Sequence, residues 1–165
     1  MSIAIRKATI NDIPSVLEIV NYEIMNTTSV WEYDIRTLEE QVAIFKEKQG
    51  KNFPFIVAEK EGNIVGFATY GPFRLKIGYK FTVEHSVYVR QGFIGTGIGK
   101  LLLFELISLA QIQKLHTMIG VIDGENVGSI SFHERAGFKN VGHIKETGFK
   151  FGRWLDSVFM QLVLE

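Results

Sequence analysis

The chain begins with two stretches in which apolar residues recur at helical spacing. The first covers residues 13–24 and follows Thr9 and Asp12, which have the spacing of a capping box. The second follows Thr37 and Glu40, which repeat that spacing. We expect this second helix to face the core through three apolar side chains: Leu38, Val42 and Phe45. Two amphipathic helices are therefore predicted in the first third of the chain.

Before and after these two helices, runs of β-branched and aromatic residues predict seven strands. Strands at 53–59 and 64–70 form a hairpin that turns at 61–63, and Gly71-Pro72 is expected to end the second of them. The other strands are predicted at 3–7, 79–89, 116–122, 141–149 and 154–164, and two further helices at 98–110 and 126–135. The resulting order, β-α-α-β-β-β-α-β-α-β-β, predicts an α/β fold in which helices flank a mixed sheet. We expect residues 1–165 to form a single domain.

Composition narrows the classes of partner. Lys and Arg total 18, as do Asp and Glu, and together with the lack of a long basic run this argues against nucleic acid or a membrane surface. No apolar run reaches the roughly 18 residues of a membrane span, and residues 1–7 lack the apolar segment of a signal peptide. The chain has no cysteine, which excludes disulfides, thiolate metal ligands and a cysteine nucleophile. We therefore expect a soluble cytoplasmic protein.

A glycine-rich turn joins the strand at 79–89 to the helix at 98–110. Gly95, Gly97 and Gly99 leave backbone N–H groups uncovered where that helix starts, and these groups and the helix dipole attract a phosphate or pyrophosphate. The turn lacks the first glycine and the final Ser or Thr of a Walker A loop, and it lacks the last glycine of a dinucleotide fingerprint. A compact Gly-x-Gly-x-Gly turn suits the pyrophosphate of an acyl-CoA. The alternative is a glycine-rich connection that binds no ligand.

Three further segments carry a resemblance to a known family. They are residues 79–89 (YKFTVEHSVYV), residues 126–138 with their Asn, His and Gly-Phe positions, and residues 148–156 (GFKFGRWLD). With the element order and the glycine turn, they resemble the GNAT N-acetyltransferase superfamily and, within it, the phosphinothricin and methionine sulfoximine acetyltransferase subfamily. The resemblance implies a mostly antiparallel sheet, acetyl-CoA as co-substrate and direct acetyl transfer in a ternary complex. It also implies a small amino-acid-like amine as the acceptor, acetylated on its α-amino group, and a homodimer.

The resemblance assigns a set of residues to acetyl-CoA. Backbone groups of Val87, Tyr88 and Val89 would follow the pantetheine arm, and Asn126 would hydrogen-bond that arm from the other side. The pyrophosphate would be bound by Gly95, Thr96, Gly97, Ile98, Gly99 and Lys100. The chain departs from the superfamily at Ile94, which stands where Gln or Arg is usual. A side-chain contribution to cofactor affinity is expected to be lost there.

Two residues are candidates for proton transfer. Glu84 lies in the strand at 79–89, where a partly buried carboxylate could accept a proton from the acceptor's ammonium; the alternative is an exposed or structurally paired glutamate. His133 matches the family position thought to protonate the CoA thiolate; the alternative is a partly buried histidine bonded to a backbone carbonyl. His85 points to the strand face opposite Glu84 and is expected to be structural. No histidines and carboxylates have metal-ligand spacing, so no metal is expected.

The loop before the strand at 79–89 is where the subfamily binds its acceptor. Arg74, with Leu75 and Lys76, is the candidate for a carboxylate or phosphinate, because a guanidinium binds such groups through two hydrogen bonds. Trp31 is expected either to wall the pocket or to be a core tryptophan. Three residues of the C-terminal hairpin are expected to have a structural or dimer role: Arg153, Trp154 and Asp156.

Two other functions stay open. One is an acetyltransferase of the same fold that acts on a polyamine, an aminoglycoside or a protein N-terminus. A cationic acceptor favours an acidic pocket, whereas the loop at 74–76 is basic. The other is an acyl-CoA-binding sensor without turnover, and the presence of both Glu84 and His133 argues against it.

Overall fold

The computed structural model describes residues 2–165 and contains the elements in the predicted order. The strands are β1 (Ala4–Lys7), β2 (Phe55–Lys60), β3 (Asn63–Pro72), β4 (Thr82–Val89), β5 (Thr117–Asp123), β6 (Lys139–Lys150) and β7 (Arg153–Val163). The helices are α1 (Ile13–Asn26), α2 (Leu38–Gly50), α3 (Ile98–Ile112) and α4 (Val127–Arg135). Both predicted capping boxes are present, one at Thr9 and one at Thr37.

The strands form one sheet in the order β1-β2-β3-β4-β5-β7-β6. Neighbouring strands are antiparallel throughout, apart from the parallel pair β4 and β5. The prediction of a mixed, mostly antiparallel sheet flanked by helices is therefore confirmed.

Each face of the sheet carries its own apolar core. On one face, α3 buries Leu102 and Leu106 against alternate residues of β2 to β5. On the other face, α1 and α2 bury Ile13 and Phe45 against the intervening residues. Burying this apolar area on both faces supplies the main driving force for folding. It also fixes which residues of β4 point to which side of the sheet.

Most element bounds shift by a residue or two from the prediction, and three differences have a clear physical reason. Leu38 is 46% exposed because it is the first residue of α2, and Gln41 takes the buried position that Leu38 was expected to fill. β3 does not stop before Gly71-Pro72 but ends at Pro72, since a proline is tolerated at the end of a strand. β4 starts at Thr82, because residues 77–79 form a short 3₁₀ helix instead of strand.

A gap in the sheet follows from the pairing of its parallel strands. β4 and β5 pair from Thr82 opposite Thr117 to Glu84 opposite Ile119. Beyond Glu84, β4 stays paired with β3 through Val89, while its other edge diverges from β5. The second half of β4 therefore borders an opening in the sheet.

Candidate active site

A cleft of about 790 Å³ lies where β4 and β5 diverge, and the first turn of α3 and one side of α4 complete its walls. The predicted site residues that line it are Glu84, Val87, Tyr88, Val89, Gly95, Gly97, Gly99, Lys100, Asn126 and His133. Its lining does not include Thr96 or Ile98 of the glycine turn, nor Trp31, Arg74, Leu75 or Lys76. The structure thus brings together most of the predicted cofactor residues and both candidates for proton transfer.

The glycine turn presents open backbone at the start of α3. Gly97 is the N-cap of α3 with a backbone φ of +88°, and Gly95 has a φ of +81°. Residues other than glycine rarely adopt such positive φ values. No atom beyond the adjacent residues lies within 4 Å of where a Cβ would stand at either position, so a ligand can approach the amides closely. Ile98 is buried and can offer only its backbone, and the Thr96 hydroxyl donates to the Phe93 carbonyl. The geometry fits a pyrophosphate at a helix N-terminus.

Asn126 is the N-cap of α4, across the cleft from β4. Its Oδ1 accepts a hydrogen bond from the Ser129 amide at 3.0 Å, so the side-chain NH₂ is the part available to a ligand. Ile94, which stands where the superfamily usually has Gln or Arg, lines the cleft and is 63% exposed. Arg135 also lines the cleft, although no motif in the sequence pointed to it.

His133 is held in place by two hydrogen bonds. Its Nδ1 lies 2.7 Å from the Ser129 carbonyl, which can only accept, so Nδ1 carries the proton. In the neutral ring, Nε2 of His133 then carries a lone pair and can only accept. It lies 3.0 Å from Nε2 of His85, so the His85 nitrogen must be the donor. The bond to Ser129 matches the alternative stated for His133, a buried histidine bonded to a backbone carbonyl.

His85 completes this pair from β4. Its one proton is on Nε2, so Nδ1 carries a lone pair; Nδ1 is buried and has no hydrogen-bond partner among residues 2–165. Burial lowers the pKa of His85 to about 3, with a further contribution from His133, and burial also lowers the pKa of His133. Gly120 on β5 leaves room for the pair, since a Cβ there would lie 2.9 Å from Nε2 of His85 and 3.2 Å from Nε2 of His133. The two rings therefore form a neutral, close-packed unit.

Glu84 lies on the opposite face of β4 from His85. It is opposite Gly71 on β3 and Ile119 on β5, and its side chain remains accessible from the cleft. Desolvation by the surrounding protein raises the pKa of Glu84, while the positive charges of Lys48 and Arg74 oppose that rise. A carboxylate whose pKa is raised towards neutrality is suited to accept a proton.

The cleft also contains acidic residues that no motif indicated. Glu23 of α1 is buried and accepts a hydrogen bond from Thr27 at 2.7 Å. Asp123 at the end of β5 accepts from the Thr28 hydroxyl and from the amide of Glu125. Both carboxylates line the cleft, and both bind the loop that follows α1. They come from positions far apart in the chain, so spacing gave no signal for them.

A buried lysine fastens that loop to the C-terminal hairpin. Lys150 donates from Nζ to the carbonyls of Thr27 at 2.7 Å and Val30 at 2.6 Å. Burial is the main cause that lowers the pKa of Lys150. Because these bonds join residues about 120 positions apart in the chain, they hold the loop after α1 in a fixed place beside the cleft.

Trp31 packs on β6 beside that loop and does not reach the cleft. Its Nε1 donates to the Thr28 carbonyl at 2.8 Å. A Cβ on Gly148 would lie 2.4 Å from the ring, so the ring lies directly against the backbone of β6. Trp31 is half-buried, and it supports the loop from outside.

The predicted acceptor loop is exposed. Arg74 stacks over Phe73 at 5.3 Å from the ring centroid, and its charge reaches Glu84. Lys76 is exposed, and Leu75 is 91% exposed. Of the three, Arg74 is the one that acts electrostatically on the cleft.

The C-terminal hairpin forms its own polar contacts. Asp156 binds His143 at 2.7 Å and the amide of Glu146 at 2.9 Å, so His143, for which no motif was found, has a partner. Arg153 pairs with Glu125, and Trp154 is 62% exposed and packs on Phe149.

Two further properties concern the whole described chain. Among residues 2–165, no group of three or more His, Asp and Glu side chains is placed to hold a metal ion. None of the helices found in this range is both long and apolar enough to cross a membrane.

The fold and the cleft define a class of enzyme that transfers an acyl group from a CoA thioester, and comparison with known proteins agrees. Residues 5–159 match the family described as "Acetyltransferase (GNAT) domain". The chain therefore belongs to the GNAT acetyltransferase family. The predictions of family, fold and an acyltransferase activity with acetyl-CoA as donor are confirmed.

Individual relatives are similar over nearly the whole chain. An L-methionine sulfoximine/L-methionine sulfone acetyltransferase of Pseudomonas aeruginosa is 42% identical, with 100% of this chain and 96% of the relative covered. A phosphinothricin acetyltransferase of Sinorhizobium meliloti, solved in complex with acetyl-CoA, is 37% identical with a TM-score of 0.96, and 99% and 89% of the two chains are covered. A structure described as ribosomal-protein-alanine N-acetyltransferase from Brucella melitensis is 43% identical with a TM-score of 0.97, and 98% and 99% are covered.

Proposed function

We propose that this enzyme acetylates the α-amino group of a small amino-acid-like acceptor of the methionine sulfoximine, methionine sulfone or phosphinothricin type. The observation that carries the proposal is that β4 places Glu84 and the backbone of Val87 to Val89 along one cleft, which ends at the glycine turn. Donor and acceptor can then meet directly, in a ternary complex. The names of the similar acetyltransferases support this acceptor class.

The chain's own groups hold the donor in a fixed position. When bound, acetyl-CoA supplies an acetyl group activated as a thioester. Amides of the turn from Gly95 to Lys100 bind its pyrophosphate, since open N–H groups at a helix N-terminus favour negative charge. The edge of β4 that has separated from β5 binds the pantetheine arm, and the NH₂ of Asn126 binds that arm from α4. Orienting the donor in this way lowers the entropic part of the barrier.

Glu84 takes the proton that the acceptor's ammonium must lose, directly or through a water molecule. Glu84 is exposed to the cleft, which allows contact with the amine, and desolvation by the surrounding protein raises its pKa, which makes the carboxylate a stronger base than a fully solvated glutamate. Arg74 attracts the acceptor's carboxylate or phosphinate to the same side of β4 by its charge. Leu75, Lys76 and Trp31 stay as proposed acceptor-side residues that support the pocket without lining its cleft.

His133 is the proposed donor of a proton to the departing thiolate. Because its Nδ1 proton is bound to the Ser129 carbonyl, the proton that it gives must come from Nε2. In the neutral ring Nε2 carries a lone pair, so His133 must first take up a proton there from solvent water and loosen its bond to His85; it then gives that proton to the thiolate and returns to the neutral form. A His133→Phe variant tests this role. Loss of turnover with unchanged acetyl-CoA binding supports it, and full activity assigns His133 to structure alone.

The test of the proposed function is thiol release from acetyl-CoA over a panel of amines. The panel holds phosphinothricin, methionine sulfoximine, methionine sulfone, common amino acids, spermidine, an aminoglycoside and a short alanine-starting peptide. We expect turnover on the first three, and a loss of about 10²- to 10⁴-fold in Glu84→Gln with acetyl-CoA binding intact. Turnover confined to spermidine or the aminoglycoside would overturn the acceptor class. Binding of acetyl-CoA without thiol release on any amine would favour a sensor.

A second candidate acceptor is the N-terminus of a protein. The name of the Brucella melitensis structure favours it, and so do the acidic residues Glu23 and Asp123 along the cleft. Both carboxylates are, however, already bonded to the loop after α1, which leaves Glu84 as the acid available to an ammonium. Turnover on the alanine-starting peptide, with none on the free amino-acid analogues, would select this candidate.

We further propose that the enzyme is a cytoplasmic homodimer whose interface includes the C-terminal hairpin. Phe149, Phe151 and Trp154 are large apolar residues exposed together near the turn of that hairpin. Such a patch is typical of a protein interface. A dimer by analytical ultracentrifugation that dissociates in Trp154→Glu is the expected result, and a monomeric wild-type protein would contradict it.

A further inference from the structure

Lys48 places an ammonium group beside Glu84, on the face of the sheet that is covered by α1 and α2. It lies in the last turn of α2, its side chain is half-buried, and its Nζ donates to the Tyr70 carbonyl at 3.1 Å. The same Nζ lies 5.8 Å from the centre of the Phe53 ring. That hydrogen bond is the one that Nζ makes among residues 2–165, so two of its N–H groups have no acceptor there.

The register of β3 and β4 fixes where this ammonium stands. Gly71 is directly opposite Glu84, and side chains at directly opposite positions of antiparallel strands point to the same face, with Cβ atoms about 5 Å apart. A Cβ added to Gly71 would lie 2.6 Å from Nζ of Lys48. The ammonium therefore occupies the space next to the Glu84 side chain that a residue other than glycine would fill. The absence of a side chain at Gly71 is what makes this approach possible.

We propose that Lys48 is a positioning residue that favours the ionised form of Glu84, so that the carboxylate is ready to accept the acceptor's proton. This inference rests on the proposed function, in which Glu84 is the base. The ammonium acts through Glu84 and does not need to touch the substrate. Nothing in the sequence indicated it, because Lys48 is one of several lysines near the end of a polar helix.

Charges around Glu84 give the direction of the effect. Desolvation raises the pKa of Glu84, and the positive charges that oppose it are Lys48 from α2 and Arg74 from the segment after β3. From β5 the facing residue is Ile119, which carries no charge. Burial lowers the pKa of Lys48, and the charges of Glu47 and then Glu84 oppose that fall. Removing Lys48 should therefore raise the pKa of Glu84 further, and a base with a higher pKa is protonated at a higher pH.

The experiment is the pH profile of kcat/KM for Lys48→Met in the full-length enzyme, with methionine sulfone as acceptor and saturating acetyl-CoA. We expect the acidic limb to move up by about half to one pH unit, which gives a three- to tenfold loss below the limb. At high pH, where Glu84 is ionised in both proteins, kcat/KM should return to within about twofold of wild type. Lys48→Arg should restore the wild-type limb, and Lys46→Met, an exposed lysine on the same helix, should not move it.

Gly71→Ala provides a second variant that keeps the lysine. The added Cβ must push the flexible end of Lys48 away from Glu84, so the acidic limb should move in the same direction by a smaller amount. A Lys48→Met profile that superimposes on wild type, or that is lowered equally at every pH, would overturn the inference. If Lys48→Met gives either of these profiles while Glu84→Gln is inactive, the role of Lys48 fails but Glu84 is still supported as the base. An active Glu84→Gln instead overturns the base itself, and with it the role of Lys48.

Discussion

The two ends of the cleft are assembled in different ways. The cofactor end comes mostly from one continuous segment, β4, the glycine turn and the start of α3, with α4 added across the cleft. The proposed acceptor end takes Glu23 from α1, Glu84 from β4 and Asp123 from β5. Lys48 of α2 lies outside the cleft lining, and Lys150 of β6 fastens the loop after α1. A site built from neighbouring residues leaves a motif in the sequence, whereas a site built by long-range contacts does not. The acceptor end is therefore where this chain can differ from its relatives without changing any motif.

The largest predicted effect is a loss of folding stability at acid pH, caused by the buried histidine pair of His85 and His133. His85 is buried and neutral, and its pKa falls from about 6.5 in the unfolded chain to about 3 in the folded protein. Because the unfolded chain binds the proton first, His85 adds full stability above about pH 6.5 and loses it as pH falls towards 3. The slope is about 1.4 kcal/mol per pH unit, so about 3 kcal/mol should be lost between pH 6.5 and 4.

Urea unfolding of wild type and His85→Leu at several pH values measures this loss. The variant should show a flatter fall in the free energy of unfolding below pH 6.5, whatever its stability at pH 8. His116→Leu, in which an exposed histidine is replaced, should keep the wild-type slope. Equal slopes in wild type and His85→Leu would show that His85 is not buried in the neutral form.

The parts of the fold and of the site that could be predicted from the sequence differ between the two ends of the cleft in the same way. The order of elements and the glycine turn follow from periodicity and local spacing. The candidate cofactor residues on β4 and α4, with Glu84 and His133, follow from the resemblance to the family. Lys48, Glu23 and Asp123 could not be predicted from spacing. Lys48 and Asp123 bind partners distant in the chain, and Glu23 reaches the cleft through the packing of α1 against the sheet. The exposed position of Leu38 was missed for a related reason, since a helix's first residue can satisfy the apolar period and still face solvent.

Gly148→Ala should damage the acceptor end alone. The new Cβ would lie 2.4 Å from the Trp31 ring, and a rigid indole must move as a whole to relieve that contact. We expect a loss of about 2 kcal/mol in the free energy of unfolding and at least a tenfold rise in KM for the acceptor, with the Kd of acetyl-CoA unchanged. Gly142→Ala on the same strand is the control, because a Cβ there would make ordinary contacts at 3.9 Å. A parallel loss of acetyl-CoA affinity would show that the two ends are not independent.

Gly97→Ala should damage the cofactor end alone. No atom beyond the adjacent residues lies within 4 Å of the new Cβ, so its cost is the positive φ of +88°, about 1 kcal/mol. Relaxation of that strain shifts the amides at the start of α3, and the Kd of acetyl-CoA should rise about fivefold by calorimetry. Gly62→Ala has the same kind of strain, with φ of +77°, in the turn between β2 and β3. It should lose similar stability and keep full affinity, and equal affinity losses in both variants would contradict the assignment.

Arg153→Ala should have the smallest effect, because the motif to which Arg153 belongs lies at neither end of the cleft. Its guanidinium pairs with Glu125 at an exposed site, and such a pair contributes less than about 1 kcal/mol to stability. We expect the free energy of unfolding and both kinetic constants to stay near wild type when measured at high protein concentration, and Glu125→Ala should behave alike. Activity that falls only on dilution would assign Arg153 to a dimer contact. A loss of activity at every protein concentration would show that the C-terminal hairpin contributes to the acceptor end of the cleft, contrary to the division made above.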